Sequence, residues 1–205
     1  MEPEQTQSRT TRTFRIAVKT PIRFILRKIL GNYGCYKIFA YDLNLRHCAW
    51  PDLERPYRFA EIDEEDMRRP NEELIRKQAW YAGEDASGFG IYRGDFLVCI
   101  QLLWYGERYK GRDFWPLKND EAKSVQLVTV PSERGKGLAT KLKQFSANCM
   151  RERGFRRLYS RVWWNDWSSI RVNEKAGWRH IATVLQLYPL GRSRPWKLVK
   201  RKLAI

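Results

Sequence analysis

The chain has no long apolar run: nothing in its 205 residues approaches the roughly 20 that a membrane-crossing helix needs. It is also poor in metal-binding side chains, with two histidines and four cysteines. Cys35, Cys48, Cys99 and Cys149 form no Cys-x-x-Cys pair and have no histidine cluster beside them. That argues against a zinc or disulfide framework, leaves reduced thiols as the expected state, and gives no metal site. Internal repeats and low-complexity tracts are absent, which excludes a solenoid or fibrous chain. The segment Met1 to Thr10 has no secretory apolar region behind it, so a cytoplasmic location is expected, with a peripheral place at a membrane as an option.

Acidic residues are scarce in the second half. From Arg134 onward eighteen Lys and Arg face three Asp and Glu, so fifteen of the sixteen excess positive charges lie there. Residues 52 to 85 are acidic on balance, densest at Asp63-Glu64-Glu65-Asp66. A basic half suits an anionic cofactor, nucleic acid or membrane surface, and equally a solvated face with no partner.

What the chain does have is 43% hydrophobic content and 14% aromatics, enough for one good core. Residues 1 to about 12 are polar and read as disordered. In Ile22 to Gly31 the residues Ile22, Ile25, Leu26, Ile29 and Leu30 share a helical face, with Arg23 and Arg27 opposite. Pro21 suits a helix start and Gly31 a stop. This basic amphipathic helix fits either an anionic membrane or the surface of the domain. Strands are expected over Tyr36–Leu43, Gly88–Tyr92, Phe96–Tyr105, Ser124–Val130, Arg157–Trp163, Trp178–Tyr188 and Trp196–Leu203. Helices are expected over 63–80, from the glycine turn to Arg153, and over Ser168–Ala176; 44–62 and 106–120 read as irregular. The fold class is α/β with a mixed α+β sheet, organised as an N-terminal basic extension over 1–33 and a single domain over 34–205.

The stretch Val128-Thr129-Val130-Pro131-Ser132-Glu133-Arg134-Gly135-Lys136-Gly137-Leu138-Ala139-Thr140 carries the most chemistry. It reads as a strand stopped by a proline, a Gly-x-Gly turn and a helix start. Such a turn clusters unpaired backbone N–H groups at the positive end of a helix dipole, which is a site for phosphate or pyrophosphate. The two glycines let backbone approach the ligand, while Arg134 and Lys136 add charge at the rim. A plain basic helix cap would also fit these residues taken alone.

Arg134-Gly135-Lys136-Gly137-Leu138-Ala139 resembles the Gln/Arg-x-x-Gly-x-Gly/Ala signature of the GCN5-related N-acetyltransferases (GNAT). About 30 residues later, Asn165-Asp166-Trp167-Ser168 to Glu174-Lys175-Ala176-Gly177-Trp178 resembles that family's Asn-x-x-(Ser/Ala)…Glu-Lys-x-Gly-Phe stretch. The resemblance covers roughly 36 to 190. It implies the GNAT-like acyl-CoA N-acyltransferase fold and acetyl-CoA as co-substrate. It also implies acetyl transfer to a primary amine by direct attack on the thioester. The backbone of Leu127, Val128 and Thr129 would pair with the pantetheine arm, and the N–H groups from Arg134 to Thr140 would hold the pyrophosphate. Lys136, with Lys141 or Lys143, would serve the remaining phosphate, and Asn165 would lie beside the pantetheine or the acceptor. Trp178 would pack in the core.

The sequence departs from the family at two positions. Ser124 stands where many relatives carry a catalytic Glu, so Glu121 or Asp120 is the nearest carboxylate for the base. Asn173 stands where many have the acidic Tyr. The catalytic candidates are therefore Glu121 and Asn173. Aromatics at Trp104-Tyr105, Trp115, Trp163-Trp164 and Trp167 are expected partly around the acceptor opening. A small molecule or amino sugar is the expected acceptor, with a protein N-terminus or lysine as the alternative. From another class, the same fold could be a non-catalytic nucleic-acid- or membrane-binding module. Expected partners are the amine acceptor, an anionic membrane at the periphery and a second copy as a homodimer, but not nucleic acid.

Overall fold

A computed structural model of the chain describes residues 32–45, 49–69, 72–112, 114–189 and 195–202. The amphipathic helix expected over Ile22–Gly31, and with it almost all of the 1–33 extension, lies outside the described residues. Two compact units are present. The larger comprises 37–182 with 201–202; the smaller comprises 32–36, 183–189 and 195–200 and carries exposed Tyr33, Trp196 and Leu198. No helix among the described residues is long and apolar enough to cross a membrane.

Eight strands form one mixed sheet. They are β1 (Asn32–Asp42), β2 (Tyr57–Ile62), β3 (Ala86–Arg93), β4 (Phe96–Trp104), β5 (Glu121–Thr129), β6 (Arg157–Trp163), β7 (Arg179–Tyr188) and β8 (Trp196–Arg201), in the spatial order β2-β3-β4-β5-β6-β1-β7-β8. From β2 to β5 neighbours run antiparallel, and β5 runs parallel to β6. β4 is buried at every position but its first, as its nearly unbroken apolar run dictates for a strand covered on both faces. Its polar exception, Gln101, is satisfied: Nε2 donates to Ser124 Oγ (3.2 Å) and Oε1 accepts from Ser146 Oγ (2.9 Å).

The helices are α1 (Glu64–Arg68), α2 (Glu73–Arg76), α3 (Gly106–Lys110), α4 (Leu138–Glu152) and α5 (Trp167–Lys175). α4 packs on β3, β4 and β5, burying Leu138, Leu142, Ser146 and Met150 at helical spacing. α5 starts at Asp166, whose carboxylate accepts from Ser169 N (3.1 Å) and both serine hydroxyls. One core cluster joins Phe89, Ile91 and Leu102 of the sheet to Met67 and Ile75 of α1 and α2 and to Leu142 and Met150 of α4.

The sheet differs from the sequence expectation in three places. The helix expected over 63–80 is α1, α2 and a 3-10 turn at Ala79–Tyr81. A capping box between Asp63 and Asp66 starts it, but Pro70 has no N–H with which to continue a helix. Tyr57–Ile62, read as irregular, is the edge strand β2. The loop over 106–120 contains α3.

Candidate active site

β5 decides where a ligand can enter. It pairs with β4 along its length, but the register shifts between Leu103↔Ser124 and Leu102↔Gln126, leaving Val125 as an extra, bulged residue. On its other side β5 pairs with β6 only from Glu121↔Arg157 to Ser124↔Ser160. A bulge bends and twists its strand, and here pairing with β6 stops where the bulge begins. Beyond it, Val130 N donates to Val98 O (2.9 Å). Backbone direction alternates along an antiparallel strand, so Val128 also faces β4 while Leu127 and Thr129 turn their N–H and C=O toward the opened side. The carbonyl of Thr129 accepts from Arg134 Nε (3.1 Å).

The turn follows. Pro131–Glu133 makes one 3-10 turn, and Gly135 (φ +81°) and Gly137 (φ +77°) adopt left-handed backbone before α4. Only glycine adopts two such conformations cheaply. A Cβ on either would meet nothing within 4 Å, so the space in front of both is open. The N–H groups of Thr140 and Lys141 bond to Gly137 O (3.0 and 3.1 Å) and that of Arg134 to Pro131 O (3.3 Å). Those from Gly135 to Ala139 have no acceptor among the described residues. Five such donors at the start of a fifteen-residue helix form an anion cradle.

Cradle and opened strand line one cavity of about 800 Å³, walled also by Leu74 of α2 and by Ser169 and Val172 of α5. Such a slot, with strand groups at one end and a cradle at the other, fits an extended chain that carries a phosphate group. Of the residues expected to bind, Leu127, Val128, Thr129, Arg134, Gly135, Gly137, Leu138, Ala139 and Thr140 line it.

Lys136 is engaged behind the turn. Glu133, 2% exposed, accepts from Lys136 Nζ (2.7 Å), Tyr57 Oη (2.6 Å) and Arg93 Nη1 (3.0 Å). The Lys136 and Tyr57 hydrogen bonds hold the Glu133 carboxyl below its usual range, and Glu133 in turn raises Lys136. The cluster ties the turn to β2 and β3. The sequence offered no sign of it, since Tyr57, Arg93 and Glu133 lie far apart along the chain. Lys143 does not reach the opening either. It is 1% exposed with Nζ 3.5 Å from the centroid of Trp178, and burial alone pushes its pKa down to about 7.

The remaining candidates stand apart. Asn165 is exposed and absent from the cavity wall; its neighbour Asp166 does the capping. Asn173 is buried on the inner face of α5, where Nδ2 donates to Ser169 O (2.8 Å) and Oδ1 has no partner among the described residues. Glu121, 3% exposed, sits at the first residue of β5 and accepts from Lys118 N (2.9 Å) and Tyr159 Oη (3.2 Å). It lines a different cavity. The six residue steps from Glu121 to Leu127 span about 20 Å of strand. The catalytic pair expected from sequence is thus not brought together at the opened edge. On the face opposite α4, Gln126 Nε2 donates to Gln78 Oε1 (2.5 Å), and Lys123 is buried with its pKa pushed down to about 7 by desolvation, helped by Arg161 and Arg112. Trp104 is core, its indole donating to Tyr81 O (2.7 Å), whereas Trp163, Trp164 and Trp167 are exposed around the β6–α5 turn.

No family model matches the chain, and no curated protein matches it. Solved structures do. A tandem GNAT protein from the clavulanic acid biosynthesis pathway superposes with a TM-score of 0.57 at 14% identity, over 94% of this chain and 62% of that one. A GNAT-family acetyltransferase from Colwellia psychrerythraea gives 0.55 at 12% over 82% and 60%. A GCN5-related N-acetyltransferase from Sphaerobacter thermophilus gives 0.55 at 14% over 84% and 56%. The chain spans about three fifths of the length of each. The mixed sheet and the helices on it therefore have the GNAT fold.

Proposed function

We propose that this chain, built on the GNAT fold, is an acetyl-CoA-dependent N-acetyltransferase acting on a primary amine of a small molecule or amino sugar. The observation that carries the reading is the junction of the bulged, half-unpaired β5 with five free N–H donors at the start of α4. Bound acetyl-CoA would supply an acetyl group activated as a thioester. The chain's own residues do the rest. The cradle from Gly135 to Ala139 holds the pyrophosphate, and the open-side groups of Leu127 and Thr129 align the pantetheine arm. The Leu127 N–H, on the open side of β5, would donate to the acyl oxygen as it gains charge. Within this cavity the single carboxylate is Glu133, already committed to three donors. Solvent therefore takes the acceptor's proton, and a thiolate leaves without an acid partner because its pKa is about 8 to 9. The exposed Trp163, Trp164 and Trp167 offer ring faces suited to a sugar.

Calorimetry with acetyl-CoA tests the donor assignment. A G135V/G137V variant forces β-branched residues into left-handed backbone and should bind at least tenfold more weakly, about 1.4 kcal/mol. Unchanged affinity in a folded variant would sink the cradle assignment. Thiol release across amino sugars, small amines and peptides then identifies the acceptor, and release with peptides alone would overturn the small-molecule reading.

A further inference from the structure

Glu121, left without a part in the proposed transfer, lies in a second cavity of about 950 Å³. Size places it within the range of small-molecule sites, roughly 300–1,000 Å³. Alternation along β5 puts Glu121 on the sheet face opposite α4: Ala122 is core, and Ser124 bonds to Gln101, which bonds in turn to Ser146 of α4. This cavity and the cradle therefore sit at opposite ends of one strand.

The lining combines three features. The first is charge. Lys118, Arg157, Arg179, Arg201 and Lys202 line it with one carboxylate, Glu121, and Asp42 beside Arg157 offsets a second charge, which leaves an excess of three. His180, also lining it, has its pKa lowered by desolvation and then by Lys202, so it adds no charge at neutral pH. The second is a fixed frame. Arg157 is held by Asp42 (2.7 Å), and Tyr109 Oη both donates to Trp115 O (2.9 Å) and accepts from Trp115 N (3.0 Å), which secures the wall that carries the indole. The third is spare acceptor capacity. A carboxylate offers about four lone-pair positions, and Glu121 uses two.

We propose that this cavity is a second ligand site, for a small organic phosphate. Its phosphate group meets Lys118, Arg201 and Lys202 at the rim, where Arg201 can bind bidentately. Its hydroxyl or amino end donates to Glu121, and its carbon framework lies against Trp115. A bare anion would leave Glu121 facing it with no donor, which favours an ester carrying its own N–H or O–H groups. The assignment stands apart from the acetyl-CoA reading, since none of its lining residues belongs to the cradle.

The test uses the full chain with CoA at saturating concentration, so that the cradle cannot take the probe. Isothermal titration is run with glucose 6-phosphate, glucosamine 6-phosphate, AMP, inorganic phosphate and glucose. At least one ester should bind tenfold or more tightly than inorganic phosphate, and glucose should not bind. The R201A/K202A variant, altered at two exposed side chains, should weaken that ester tenfold or more and leave CoA affinity unchanged. Absence of binding by every ester up to about 10 mM would overturn the proposal. Equal affinity for inorganic phosphate, or an ester indifferent to R201A/K202A, would overturn it as well. CoA affinity is measured in the same samples, so a failure of the cradle is seen separately.

Discussion

Replacing Lys143 by methionine should make the protein more stable, and more so at neutral than at alkaline pH. The ammonium group is buried against Trp178, and no acidic side chain among the described residues pairs with it. Burial brings its pKa from 10.5 to about 7. At about 1.4 kcal/mol per tenfold, that lowering corresponds to about 4–5 kcal/mol of cost at or below pH 7. The ring face of Trp178 returns about 2 kcal/mol of it. Methionine has a similar volume and no charge, so K143M should gain about 2 kcal/mol at pH 7. For a chain of this size that is a rise of about 4–8 °C in Tm.

The sign of the pH dependence follows from proton counts. Between pH 7 and 10.5 the unfolded chain holds a proton on Lys143 that the folded chain lacks. Stability therefore rises with pH, by up to about 1.4 kcal/mol per pH unit from this group. Below pH 7 both states hold the proton and the slope vanishes. Lys123 behaves alike, so K143M should halve the slope rather than remove it. Urea titrations of both proteins at pH 7.0, 7.3, 7.6 and 7.9 measure this, below the unfolded thiol pKa at which Cys99 and Cys149, raised to about 12 and about 11 in the fold, begin to oppose it. A K143M protein less stable than the parent, or one with the parent's slope, would refute the reasoning.

Two further outcomes are expected. E133Q should lose about 2 kcal/mol, because it weakens three hydrogen bonds to a charged acceptor, and should bind CoA severalfold more weakly as the turn loosens. Since the folded carboxyl is held low, the contribution of Glu133 is present above the usual carboxylate range and lost as pH falls through the folded value, which acid titrations of the two proteins will show. Removal of residues 1–31 should abolish sedimentation with anionic liposomes, and unchanged sedimentation would assign that segment to another role.

The glycine turn was legible in sequence because two backbone angles there demand glycine, and because a proline ends the strand before it. The opened edge was legible only through resemblance: nothing in Ser124-Val125-Gln126 announces a bulge, which arises from pairing with β4. β2 went unread because it is short and mostly half-exposed. Asn173 could have been placed, since Ile170, Asn173 and Ala176 recur at helical spacing and all are buried. Lys143 could not, as a lysine among Leu142 and Ala147 looks solvated until its neighbours are known. Glu121 lines a different cavity from the glycine turn. Strand alternation assigns a face, but distance along the strand and the loop at 114–118 decide which cavity it meets.

The first strand among the described residues, β1, lies between β6 and β7, which are made more than 110 residues later. Its contact through Asp42 to Arg157 closes a gap of 115 residues, at an entropic cost of about 4 kcal/mol from chain length alone. On the ribosome β1 emerges before β6 and β7 and waits for partners that do not yet exist. Until it docks, β6 and β7 each present a bare strand edge to other chains. The order of synthesis and the order of the sheet thus run against each other. The early life of this protein is governed by how well that leading strand is kept from the wrong company.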